Sequence, residues 1–251
     1  MVRWLVQTLG LLTPLVTIIG ILAGGWWAAS TLILALGIYP ILDLLLGDSS
    51  ITDPLEESKT FDFIVHTHGI LVPIVISILL YQAYFDYTSF IWLAAVSVGM
   101  SSGASGIITA HELGHRRPKS RSWWLSRLDL MCVLYLHFTV EHNHTHHKHW
   151  AKPRDPTSSP WKRNVYFHFI RTIPLQLMGA YRAKPKDFRY SMLVQLTLLV
   201  TLAIISPVLL GVFLLQAIVA IFLLEFVNYL QHHGLVRGDD ERPNASHAWE
   251  S

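Results

Sequence analysis

The sequence predicts an all-α, polytopic membrane protein, with six transmembrane helices and a histidine-rich helical cap on one side. Three observations carry this prediction. Only 14% of the 251 residues are charged and 52% are hydrophobic, whereas soluble domains carry roughly 25% charged residues. Six apolar stretches approach the ~20 residues that cross ~30 Å of hydrocarbon as a helix. The basic residues are segregated: 15 of the 19 Lys and Arg fall between Arg116 and Arg189.

The six stretches lie at about 4–23, 26–46, 63–84, 89–110, 191–210 and 212–230. Arg3 before the first resembles the start of a signal peptide. That run is long, and a second follows without a small-residue cleavage site, so a first span is predicted. Gly24-Gly25 joins the first pair, and a turn near Gly211 is expected to join the last. An acidic, turn-rich loop with Asp48, Asp53, Pro54, Glu56 and Glu57 separates the second and third spans. Residues 111–190 form one long polar segment, within which 128–140 is apolar but too short to span and reads as a buried or interfacial helix. Residues 1–251 read as one membrane-embedded domain. Loops near 24, 87 and 211 carry no Lys or Arg. The positive-inside rule therefore places 111–190 and both termini in the cytoplasm. The single cysteine, Cys132, excludes an intrachain disulfide and any four-cysteine iron site. It is expected to act as a small buried apolar side chain.

Chemistry concentrates in Glu141-His142-Asn143-His144-Thr145-His146-His147-Lys148-His149, which holds five of the chain's 14 histidines. On a helix His142 and His146 share one face, and His147 is the next residue round. Five unliganded imidazoles packed together repel when protonated. A metal removes that difficulty, since histidine binds metal through one neutral ring nitrogen while a neighbour orients the other. His142, His146 and His147 are the candidate ligands, and His144 and His149 are expected to point elsewhere. His111 and His115 stand four apart at the end of the fourth span. Taken alone, His-Glu-x-x-His also serves zinc peptidases. His232-His233 ends the sixth span. Glu112 and Glu141 adjoin candidate ligands and are placed to accept a histidine N–H. His66 and His68 read as interior hydrogen-bonding residues, and His137 and His168 as structural. An all-histidine set suits iron, copper or zinc. Zinc sites need three or four ligands, and at least six are available on one face, so more than one metal is expected.

At these residues the sequence resembles the integral-membrane alkane 1-monooxygenases (alkane omega-hydroxylases) of the membrane fatty-acid desaturase/hydroxylase superfamily. His111-Glu112-Leu113-Gly114-His115-Arg116 resembles their first histidine box. Glu141 to His147 resembles the second, with Thr145 in place of the usual glycine. Arg154-Asp155-Pro156-Thr157-Ser158 resembles the segment that follows. Asn228 to Gly234 resembles a further motif, Asn-Tyr-x-Glu-His-Tyr-Gly, with Gln231 for Glu and His233 for Tyr. The resemblance covers the chain from about residue 40 onward. It implies a nonheme di-iron centre, two iron ions held by His111, His115, His142, His146, His147 and His232. It further implies O2-dependent hydroxylation of the terminal methyl of medium- to long-chain alkanes in the cell inner (plasma) membrane. Electrons would come from rubredoxin and its NAD(P)H reductase. The basic 116–189 segment offers an acidic donor a docking surface, although the positive-inside signal accounts for most of that charge. No nucleic-acid partner is expected.

The family's last histidine box does not occur before Ser251. Six of nine expected ligands are present, and the chain is expected to be a C-terminally incomplete form with one side of the metal site open. A related membrane desaturase or fatty-acid hydroxylase shares these boxes and is the alternative. An intramembrane zinc protease leaves the second cluster unexplained. A metal transporter calls for polar ligands near the bilayer midplane, where the spans offer few.

Overall fold

The computed structural model describes residues 8–46, 59–238, 240–242, 244 and 247–249. Arg3 and the predicted acidic loop around Asp53 lie outside them. Among the described residues there are nine helices: α1 (Leu12–Ala23), α2 (Gly25–Leu46), α3 (Lys59–Phe85), α4 (Ile91–Gly114), α5 (Arg121–Cys132), α6 (residues 138–149), α7 (Val165–Ala183), α8 (Pro185–Ile205) and α9 (Pro207–His232). Five of them, α2, α3, α4, α8 and α9, are long and apolar enough to cross a membrane. The described part of the first predicted span is the 12-residue α1.

Local chemistry explains the boundaries. Gly24 and Gly25 both take positive φ, 69° and 55°, which turns α1 into α2 as the glycine pair predicts. The last turn differs from expectation. The break falls at Ser206, whose Oγ accepts the Val208 N–H at 3.2 Å, and Pro207 opens α9. Gly211 lies inside that helix instead, and a Cβ there would stand 2.7 Å from the Trp92 ring. That glycine serves close packing rather than a turn. The apolar stretch 128–140 is not one helix either. α5 ends at Cys132, Leu134 takes φ 56°, and the Leu136 N–H bonds Gln195 Oε1 at 2.7 Å instead of a helical carbonyl.

The chain divides into two compact units, Met1–Val133 with Thr201–Ala220, and Leu134–Val200 with Ile221–Ser251. In the first unit α3 packs on α1, α4 and α5, and Leu79, Ala95, Val98, Leu113 and Leu130 are wholly buried. Small and hydroxyl residues share the contacts with these apolar ones, as helices packed in an apolar solvent favour. A Cβ on Gly99 would meet Gln216 O at 2.6 Å. Thr17 and Thr31 share a hydrogen bond of 2.9 Å, and Ser97 donates to the Ala28 carbonyl. Gln216 Nε2 donates to the Cys132 carbonyl at 2.7 Å. Cys132 is buried. Most of the large apolar side chains of α2, among them Leu36, Leu44 and Leu45, are exposed, whereas Leu34 is buried. In the second unit α7 packs along α6.

Candidate metal centre

In the first unit, α4 ends in the first histidine box. One helical turn separates His111 from His115, and their Nε2 atoms stand 3.0 Å apart. Nitrogens bound side by side to one metal at ~2.0–2.1 Å lie roughly 3 Å from each other, so this pair is already spaced as adjacent ligands. Glu112 pairs with Arg116 at 3.2 Å, and Arg116 reaches Asp62 at 3.3 Å. His66 bonds the Asp62 carbonyl at 2.7 Å and Ser122 Oγ at 2.8 Å, and His68 meets Thr109 Oγ1 at 3.1 Å. Both hydrogen-bond as expected, but only His68 is buried; the His66 side chain is 30% exposed.

In the second unit, the histidines of α6 sit on a π-helical turn, His142–His146, in which the His147 N–H bonds the His142 carbonyl. Such i→i+5 turns are rare and concentrate at functional sites. The wider turn brings both His146 and His147 under His142. The His142 and His146 rings stack at 5.0 Å, and the His142 and His147 rings meet edge-on at 4.4 Å. Ligand nitrogens of His142 and His147 lie within 4.8 Å of each other. The His232 ring, from the end of α9, stands 5.2 Å from that of His146.

Asp155 orients His146. Its wholly buried carboxylate lies 3.2 Å from His146 Nδ1 through either oxygen. Thr157 N, Thr157 Oγ1 and Ser158 Oγ also donate to it. Burial alone would raise the Asp155 pKa. The His146 hydrogen bond and charge, with the Thr157 N–H, outweigh it and hold the group below its ordinary value. With Nδ1–H donated to Asp155, the lone pair of His146 is on Nε2, the arrangement of a metal-binding imidazole. Asp155 lies in the segment that follows the second histidine box, and no role for it follows from the sequence alone. The one signal is an aspartate flanked by turn-forming residues just past a histidine cluster.

His232 is held differently. The Trp150 indole N–H donates to its Nδ1 at 3.2 Å. Indole N–H is only a donor, so Nδ1 accepts and a neutral ring carries its proton on Nε2. In this arrangement His232 offers neither nitrogen to a metal. Glu141 is 1% exposed, and among the described residues neither of its carboxylate oxygens has a hydrogen-bond partner. Burial first, then the charges of Asp155 and Glu225, push its pKa well up. A further buried network centres on Glu225, which the histidine pattern does not point to. Glu225, inside the last span, lies 2.6 Å from Tyr135 Oη and accepts from Gln176 Nε2 at 3.0 Å. A carboxylate in an apolar span is the signal that would have found it. His144 and His149 face a groove between α6 and α7, away from the ring cluster. His168 is wholly buried against Tyr229, at 5.4 Å between rings.

Imidazoles with closely spaced nitrogens, one of them with a carboxylate-fixed tautomer, form a donor set that fits a metal. Fold and donors together define a multi-pass helical membrane protein with histidine-rich helix ends. A family profile described as fatty acid desaturase matches residues 87–251. Alkane 1-monooxygenase 1 of Pseudomonas aeruginosa is 32% identical, over 90% of this chain and 67% of its own length. Alkane 1-monooxygenase 1 of Alcanivorax borkumensis is 29% identical, over 99% and 68%. The alkane 1-monooxygenase of Pseudomonas putida is 28% identical, over 99% and 69%. The chain belongs to the fatty acid desaturase family, in the group of the alkane 1-monooxygenases.

Proposed function

We propose that this protein is a membrane monooxygenase that hydroxylates the terminal methyl of medium- to long-chain alkanes. The names of its relatives support the reaction class. The observation that carries the reading is the π turn, which gathers His142, His146 and His147 while Asp155 fixes the His146 tautomer. Two iron ions, when bound, supply the O2-activating redox chemistry. His111, His115, His142, His146 and His147 would hold them, together with His232 if its ring were freed from the Trp150 N–H. Asp155 keeps the proton of His146 on Nδ1. Glu112 and Glu141 are the further acceptors proposed for ligand N–H groups. An alkane reaches the site from the bilayer, where it partitions. Rubredoxin with its NAD(P)H reductase supplies electrons from the cytoplasmic side of the inner membrane, where the positive-inside rule puts 111–190 and both termini.

The test is metal analysis of the purified protein with spectroscopy for coupled iron, alongside turnover of an alkane with rubredoxin and reductase. Iron with 1-alkanol formation is expected of a form that also carries the family's last histidine box. His111→Ala and His142→Ala are expected to abolish both, and His149→Ala neither. Zinc alone at full occupancy sinks the reading. The family profile also favours an acyl substrate on the same metal centre, and product analysis with a fatty-acyl substrate separates the two.

A further inference from the structure

α7 carries its polarity the wrong way round for a water-exposed helix. His168, Thr172 and Gln176, spaced four apart, are wholly buried. On the outside Tyr166 is 72% exposed and Ile170 73%, with Phe167, Met178 and Tyr181 also outward. A helix with a buried polar stripe and an apolar outer face suits the boundary between headgroups and acyl chains, where that face sinks into lipid. α7 is not among the helices long and apolar enough to span, so it fits an in-plane position.

An open groove of about 500 Å³ runs along this helix within the second unit, and its lining includes Lys148, Arg154, Arg171 and Arg182. Among the described residues, no carboxylate lines it. Leu175 and Met178 add an apolar wall. The Nη1 of Arg171 is buried and, among the described residues, without a hydrogen-bond partner. A charged donor left unmade in this way costs more than a neutral one, and an anion in the groove would satisfy it. The size is that of a small-molecule site. We propose that this groove binds the phosphate headgroup of an anionic membrane phospholipid, whose acyl chains lie along the outer face of α7. Positive-inside segregation explains how many cations are on this side of the chain. It does not explain four of them around one concave site beside an apolar wall.

The experiment uses the full chain in nanodiscs of phosphatidylcholine alone or with phosphatidylglycerol, read by thermal melting and by native mass spectrometry of retained lipid. Retention of phosphatidylglycerol and a higher melting temperature are expected for the wild type. The same is expected for Lys162→Gln, an exposed cation outside the groove. In Arg171→Gln/Arg182→Gln retention should weaken roughly 30-fold, the loss of two interfacial cations. If that variant does not fold, Lys148→Gln/Arg154→Gln at the rim must show the weakening. Equal retention in variant and wild type overturns the proposal. So does a melting shift reproduced in phosphatidylcholine by inorganic phosphate alone, which marks a free-phosphate site. A shift given by polyglutamate and not by phosphatidylglycerol also overturns it, in favour of an acidic polypeptide.

Discussion

His146 Nδ1 and the buried Asp155 carboxylate, 3.2 Å apart, form a bond that decides which nitrogen of the ring is left to bind. Replacing Asp155 by Asn keeps the size of the side chain and lets its amide face the ring with either a donor or an acceptor. The His146 tautomer is then no longer enforced. Metal affinity, titrated on the apo-protein, is expected to fall ~10–100-fold. Unchanged affinity in Asp155→Asn would mean that the bond is structural only.

Trp150 opposes the ligation of His232, because its N–H occupies Nδ1. Trp150→Phe keeps an aromatic ring and removes the donor. Metal binding is expected to tighten in this variant, and adding His232→Ala is expected to erase the gain. Equal affinities across wild type, single and double variants would show that His232 takes no part.

The space that Thr145 needs comes from Gly179 on α7. A Cβ on Gly179 would stand 3.1 Å from Thr145 Oγ1 and 3.2 Å from its Cγ2. Gly179→Leu is expected to destabilise the fold by ~1–3 kcal/mol through overpacking. Combined with Thr145→Gly, much of that loss should disappear. Thermal melting of the four proteins in a double-mutant cycle measures the coupling, and strict additivity contradicts the packing account.

Asp129 on α5 is 2% exposed, and among the described residues neither carboxylate oxygen has a hydrogen-bond partner. Burial pushes its pKa up to about 9. In the unfolded chain the group ionises near its ordinary 3.8. The unfolded state therefore releases this proton first as pH rises. Stability is greatest below about 3.8 and declines toward about 9 on account of this group. Asp129→Asn, which cannot ionise, is expected to melt higher at neutral pH and to flatten the decline in that window. A lower melting temperature at neutral pH would show that the carboxylate is held by a partner in solution.

Fold class was legible because bilayer thickness imposes a length on apolar runs, and α3 and α4 follow it closely. The turns were less legible. Gly211 carries the composition of a turn, but its lack of a side chain is used by Trp92, and Ser206-Pro207 supplies the break. The apolar run through Tyr135 gave no sign of its interruption, because the cause is a distant side chain, Gln195, that takes the Leu136 N–H. The candidate ligands stand out by composition alone. Their supporting groups do not: Asp155, Trp150 and Gln176 are ordinary residues until the fold sets them beside His146, His232 and Glu225.

The π turn makes the meeting of His142, His146 and His147 a matter of counting along the backbone. Five residues close a loop that four close in an ordinary helix, and the extra one sets how far the chain rotates between rings. A substitution at any of these histidines deletes one ring and leaves its neighbours aimed as before. Removing a single non-ligand residue, Asn143, would keep every imidazole in the chain and place His146 and His147 three and four positions after His142, spacings that an ordinary helix brings to one face. The wide turn is thus what lets a longer count, four and five, do the work that three and four do elsewhere.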